Sequence, residues 1–367
     1  MKMSPTPSTP GHSLSVERVA FSELPDAVLE VWSRWAKQPA FYSPYFHPAF
    51  TKCAAQVRDD VRVMLGYVQE KLVAIFPYQR CGRNLIEPVG GAINDYHAVL
   101  CDNANPISIT ELLKCANVGR LKFHSWLAPY DDIQPHIYSQ VEASVADFSH
   151  GKSRFLDELS QKSTTISRHP QKCRKLMREI GPLRLELDCS DPPVLDWIIQ
   201  KKREKYQRTG VIDFFGVAWT RDLLSKICQT NTPDFGGMLS ALYAGDQLVA
   251  AHIGMRCGST LHYWYPVYDT EYRKYSPGTQ LFLEIVGHSN ELGIQRIDFG
   301  YGEDPYKDKL TNQKFLVARG CIDFNKIRSS YKRQVDQLVS KVKSSPAKQP
   351  LKRIVRIFMP GAGQPRV

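Results

Sequence analysis

The chain has 367 residues, 43% hydrophobic and 23% charged, with a formal net charge of +11. That length exceeds what one hydrophobic core usually organises and favours two domains, while no run approaches the roughly 18 apolar residues of a membrane-spanning helix. The charge is concentrated: residues 326–367 hold eleven Lys or Arg against one acid, Asp336, so the body of the chain is near neutral and argues against a nucleic-acid partner.

Residues 1–13, MKMSPTPSTPGHS, lack the apolar run of a signal peptide, and their Pro, Ser and Thr content predicts a disordered tail on a cytoplasmic protein. ELPDAVLEVWSRWAKQ has apolar residues at helical spacing, and FYSPYFHPAF after it reads as a packed Pro- and aromatic-rich connection. From residue 61 to 90 apolar and polar residues alternate between turn signals, which predicts a meander of short strands, and residues 107–119 look helical. At an offset of 176, Leu72, Val73, Ala74, Arg80, Cys81, Gly82 and Leu85 recur as Leu248, Val249, Ala250, Arg256, Cys257, Gly258 and Leu261. This is an internal repeat, and it predicts a duplicated α/β unit. The boundary is expected near residue 150, giving units over 14–150 and 151–330 with a basic helix and tail over 331–367.

The second unit opens with helix, Pro-broken turn, helix and strand, followed by PPVLDWIIQKKREKYQRTG, a helix with Pro in its first turn and Gly210 at its end. The cluster Arg168, Lys172 and Lys175 shares one helical face and could receive an anionic acceptor. Nine singly placed cysteines offer neither a disulfide framework nor a zinc site, and no metal is expected. In PLKRIVRIFMPG, within residues 344–367, apolar and basic residues could take opposite helical faces, a pattern suited to an anionic membrane surface and so to the inner face of a membrane.

The stretch 260–309 concentrates the chemistry. TLHYWYPVYD alternates Leu261, Tyr263, Tyr265 and Val267 with His262, Trp264 and Pro266, and so reads as a two-faced strand. Ser276 before Pro277 reads as an N-cap serine opening a helix that runs to Gly293. Arg273, Lys274, Ser276 and Gly278 bring cations, a hydroxyl and exposed amides to that helix start, where a phosphate would bind. The following strand ends in DFGYGEDPYK.

With its SPG helix start, DFGYG strand end and following YK, this region resembles the C-terminal signature of the GNAT superfamily. The closer resemblance is to CelD-type acyltransferases of cellulose and exopolysaccharide synthesis, and FYSPYFHPAF is similar as well. The resemblance implies two tandem GNAT-like units, each a mostly antiparallel twisted sheet flanked by helices, in an α/β fold of mixed sheet. It implies acyl transfer from acyl-CoA, acetyl-CoA in the first instance, to an amine or hydroxyl of a sugar, free or nucleotide- or lipid-linked. Tyr263 and Tyr265 would hold the pantetheine through their backbone, and Arg273, Lys274, Ser276, Gly278 and Thr279 the pyrophosphate. Ser276 stands where the family's Q/R-x-x-G-x-G/A turn has its first glycine. Asp298, Glu303 and His262 are the candidate bases, Tyr306 the acid for the thiolate, and Lys307 a phosphate contact. Two alternatives stand beside it: a Fem-type aminoacyl-tRNA-dependent transferase, and a non-catalytic double-GNAT scaffold docked to a polysaccharide synthase or the membrane.

Overall fold

The computed structural model describes residues 13–325, apart from residues 83, 103–106, 130, 131, 190, 211 and 303. Residues 1–12 of the expected tail, the basic segment 331–367 with its expected membrane-docking stretch, and Glu303 therefore lie outside the described residues.

The first half runs β1 (Ser15–Val19), α1 (Asp26–Ala36), α2 (Pro48–Ala55), β2 (Arg62–Val68), β3 (Lys71–Gly82), β4 (Leu85–Pro88), β5 (Leu100–Cys101), α3 (Ile109–Cys115), β6 (Arg120–Trp126) and β7 (Ile137–Asp147). Then follow α4 (Lys152–Lys162), α5 (Thr164–Ser167), α6 (His169–Glu179), β8 (Leu183–Cys189), α7 (Pro192–Thr209), α8 (Ala218–Cys228) and β9 (Phe235–Ala244). The chain goes on through β10 (Gln247–Cys257), β11 (Thr260–Tyr268), α9 (Pro277–Gly287), β12 (Arg296–Tyr301), α10 (Lys307–Leu310) and β13 (Gln313–Asp323). Local sequence accounts for much of this. Val28, Trp32, Trp35 and Ala36 recur at helical spacing and are the buried side of α1. Pro192 and Pro193 open α7, and Gly210, in left-handed geometry at φ 68°, closes it.

The strands form one mixed sheet in the order β1-β2-β3-β4-β6-β13-β7-β12-β11-β10-β9-β8, with β5 beside β3. This order is a palindrome of two equivalent halves, and the repeated segments are β3 with the start of β4, and β10 with the start of β11. Each half places a parallel pair across a helix: β4 with β6 around α3, and β11 with β12 around α9. The final strands are exchanged: β7 pairs with β12 and β13, whereas β13 pairs with β6 and β7. The turn at 148–151 thus separates the halves along the chain while the hydrogen-bonded sheet runs across them.

One face of the sheet carries α1, α2, α7 and α8 over a core drawn from both halves. The opposite face carries α3 over the first half, and α4, α6 and α9 over the second. Two local expectations are corrected. α9 ends at Gly287, six residues short of Gly293, where His288, Ser289 and Asn290 replace the apolar helix formers. The alternation along β11 slips at a bulge: Leu261 and Tyr263 enter the α9-side core, but Trp264, Tyr265 and Val267 all enter the other. Among the described residues no helix is long and apolar enough to cross a membrane.

Candidate active site

The turn leading into α9 is a short 3-10 helix, Thr270–Tyr275, capped by Asp269, whose carboxylate accepts from the Glu271 amide at 3.0 Å. Ser276 then takes φ 57° and ψ 50°, left-handed geometry that glycine adopts most readily. Its hydroxyl does not cap the helix, which corrects the expected N-cap bond: side-chain capping goes with an extended backbone at that position. Instead Ser276 Oγ accepts from Lys172 Nζ of α6 at 2.7 Å. Gly278 has ordinary helical φ, and a Cβ there would come no nearer than 3.4 Å to Tyr268, so no described residue demands glycine there.

The cations around this turn divide. Arg273 is exposed, whereas Lys274 Nζ donates to Glu179 Oε2 at 3.1 Å, beside the Tyr275 hydroxyl at 2.6 Å. The Tyr275 hydrogen bond, then Lys274, hold the Glu179 carboxyl down to about 2. Lys175 also lies 3.9 Å from Glu179. The expected acceptor surface of Arg168, Lys172 and Lys175 is thereby corrected for Lys172, which joins the turn because α6 packs against α9. Thr279 sits one turn into the helix, its amide donating to the Ser276 carbonyl at 3.0 Å.

From that turn a gap opens between β11 and β12. Their parallel register covers only Thr260↔Arg296, Leu261↔Ile297 and His262↔Asp298. Beyond it β11 is bulged, Tyr263 and Trp264 facing Gly254 of β10, and β12 bends at Gly300, φ 65°. Glycine is required at both places: a Cβ at Gly254 would strike the His262 carbonyl oxygen, and one at Gly300 would strike the Asp95 carboxylate. From Tyr265 to Val267, β11 is laddered among the described residues on its β10 side alone, leaving an edge on which an extended ligand could lie as a strand does.

At the apex of the gap is a polar centre assembled from both halves. His262 Nε2 lies 3.1 Å from Asp95 Oδ2 and 3.1 Å from the Tyr45 hydroxyl, which is also 3.1 Å from the Ile93 carbonyl. The Tyr96 hydroxyl donates to Asp298 Oδ1 at 2.6 Å, and the Gly300 amide to the same oxygen at 2.8 Å. Asp298 Oδ2 and His262 Nδ1 are buried without a hydrogen-bond partner among the described residues. Burial raises the Asp298 carboxyl, against the opposing pull of His262 and the two hydrogen bonds. The side chains of His262 and Asp298 have no exposure, whereas that of Asp95 has 18%. Asp298, expected as a base, is sealed behind the carboxylate that faces the gap.

The remaining expected residues are placed as follows. Tyr263 is buried against His252, rings 4.1 Å apart and stacked, its hydroxyl unpartnered. The Tyr265 hydroxyl is pushed well above its ordinary range by burial. Tyr306 is partly exposed, edge-on to Phe299 at 6.1 Å. Lys307 departs from the exposed cation expected: it is buried, its ammonium donating to the Gly300 and Tyr301 carbonyls at 3.2 and 2.9 Å, so it braces the bend in β12. Asp95, Tyr45 and Tyr96 escaped the sequence reading. The signal for the first and last was GGAINDYH, polar residues directly after a Gly-Gly turn inside an apolar stretch. A groove of about 1130 Å³ lined by Arg58, Arg80, Trp219 and Lys226 holds none of these residues. Among the described residues no group of side chains could hold a metal ion.

With this geometry in view, similarity to known proteins is informative. Residues 167–308 match a family model described as Acetyltransferase (GNAT) domain. The match supports an acyltransferase, and it spans the turn, the gap, His262 and Asp298. No curated protein matches the chain in sequence. Among solved structures, FemX superposes with a TM-score of 0.55 at 11% identity, covering 88% of this chain and 100% of that one. The "C-terminal Domain (DUF2156) of Putative Lysylphosphatidylglycerol Synthetase from Agrobacterium fabrum" superposes at 0.52 and 14% identity, covering 86% and 96%. At these identities the likeness is one of fold, a GNAT-like mixed α/β architecture with a large, mostly antiparallel sheet flanked by helices.

Proposed function

We propose that the protein transfers an acyl group, acetyl in the first instance, from acyl-CoA to an amine or hydroxyl, with the Asp95–His262 pair as the proton acceptor. One arrangement carries this reading: the unladdered edge of β11 runs from a phosphate-type helix start at one end to the Asp95–His262 pair at the other. The residues fit such a donor. Gly278, which no described residue needs as glycine, permits close backbone approach, and exposed Arg273 with the Gly278 amide at the start of α9 favours a pyrophosphate. Acyl-CoA supplies, when bound, an acyl group activated as a thioester.

The chain's own groups do the rest. Asp95 accepts the acceptor's proton as its nitrogen or oxygen bonds to the acyl carbon, and His262, with Nε2 directed at Asp95, holds the carboxylate in place. Asp298, tied to Tyr96 and Gly300, shields the other side of the imidazole. Amides on the free edge of β11 stabilise charge on the acyl oxygen. Tyr306, which borders Phe299, returns a proton to the departing thiolate as the carbon–sulfur bond breaks. A sugar or amino sugar as acceptor is supported by the resemblance of the SPG and DFGYG segments to the CelD-type branch.

Asp95→Asn tests the assignment together with calorimetric titration of acetyl-CoA. The expected outcome is acetyl-CoA affinity within about twofold of wild type and thiol release lowered by about 10²–10⁴, the usual worth of a positioned base. Full turnover by the variant removes Asp95 from the mechanism. Absence of acetyl-CoA binding to wild type removes the donor.

A further inference from the structure

α7 lays Val194, Leu195, Ile198 and Ile199 on the core shared by both halves. One turn on, the same side carries Lys202, only 9% exposed. A lysine buried to that degree is ordinarily paired, because an ammonium loses its hydration on leaving water. Its more exposed neighbours are paired: Lys201 meets Asp269 at 2.8 Å, and Arg203 meets Asp213 at 2.8 Å. Lys202 makes no hydrogen bond or ion pair with any described residue, and its Nζ stands 5.3 Å over the Tyr265 ring. Desolvation lowers its pKa to about 7, reinforced by Lys205 and opposed by Asp304.

Its location is specific. Tyr265 lies on the part of β11 beyond the last residue paired to β12, and Asp304 and Lys307, just past the end of β12, act electrostatically on Lys202, so Lys202 stands on the α7 side of the strands that border the gap. Tyr265 and Trp264 belong to the core on the Tyr45 and Tyr96 side of the sheet. The turn at Arg273–Gly278 is backed from the other side, by α6 and Tyr275. Lys202 therefore shares a face with the polar centre and not with the phosphate turn.

We propose that Lys202 anchors an anionic group, a carboxylate or a phosphate, carried by the acyl acceptor. This rests on the acyl-transfer reading and names the class of acceptor for that same site. An anion over Tyr265 gives the buried ammonium the partner that the described residues withhold, and Lys205, one turn on and exposed, adds a second cation nearby. A neutral acceptor leaves Lys202 unpaired and is selected against for that reason.

Reductive methylation of the full chain, read lysine by lysine by mass spectrometry, tests this with inorganic phosphate and with malonate as probes. At a probe concentration about ten times its Kd, Lys202 modification is expected to slow about tenfold, with exposed Lys114 unaffected. Protection by phosphate alone assigns a phosphorylated acceptor, and by malonate alone a carboxylated one; protection by neither overturns the proposal. Lys202→Met is expected to bind acetyl-CoA within about twofold of wild type. A loss of about tenfold or more would put Lys202 in the donor's site and overturn the proposal as well. Failure of wild type to bind acetyl-CoA sinks the acyl-transfer reading instead, and the methylation result, which needs no coenzyme A, tells the two failures apart.

Discussion

Ser276 illustrates how a single residue carries both backbone and chemical roles. Left-handed geometry costs a non-glycine residue roughly 1–2 kcal/mol, and a hydrogen bond to an ammonium returns an amount of that order. Ser276→Gly should therefore leave the melting temperature nearly unchanged, the relief of strain offsetting the lost bond from Lys172. Ser276→Val, β-branched at φ 57°, should lose about 2 kcal/mol in denaturant titration. Equal stability of the two variants would mean that the backbone geometry is not what selects a small residue. Lys202 makes a pH-dependent prediction. Its ordinary pKa of 10.5 falls to about 7 in the fold, facing Tyr265, Lys205, Lys307 and Asp304. Below 7 both states carry the charge and its burial cost is fully felt. Between 7 and 10.5 the unfolded chain holds a proton that the folded one has released, so stability rises with pH. Lys202→Met should raise the melting temperature most near pH 6, with the gain shrinking towards about pH 10. A gain independent of pH would show that the lysine is not buried as described.

At the scale of elements, the gap depends on two departures from regular strand geometry, the bulge in β11 and the bend in β12. Each is tied to a glycine whose replacement would push directly on the polar centre. Gly254→Ala forces its methyl against the His262 carbonyl, so the bulge must shift. We expect a loss of about 1–3 kcal/mol, as for overpacking in a core, accompanied by loss of turnover. Unchanged turnover would uncouple the bulge from the site. The element scale also explains the misread alternation of β11. A strand reads as period two only while one residue faces one, and TLHYWYPVYD contains nothing that marks an extra residue. What marks it is Gly254, on the neighbouring strand.

At the scale of the molecule, the exchanged strands β7 and β13 tie the halves together, and the polar centre joins Asp95, Tyr45 and Tyr96 of the first to His262 and Asp298 of the second. A first-half fragment retains no described ladder partner for β7, and exposes Trp264's side of the shared core. Fragments 13–150 and 151–325 should each fail to show cooperative unfolding alone, while the whole chain unfolds in one transition by circular dichroism. Two independent transitions in the whole chain would contradict this coupling.

Much of the site was legible along the chain because its parts are local. The helix start at Ser276, the DFGYG strand end and the existence of strand β11 all fall within some forty residues, where turn chemistry and periodicity speak directly. The repeat at an offset of 176 likewise announced the duplication. What only the tertiary structure decided was which groups meet. Asp95 reaches His262 across a sequence distance of more than 160 residues, Lys172 turns from the expected acceptor face to Ser276, and Lys307 is drawn inward to brace the bend. Those contacts follow from the exchange of strands and the packing of α6 on α9. Burial, which decides whether a carboxylate or an ammonium faces a ligand or the core, is a property of the assembled fold and not of neighbouring residues.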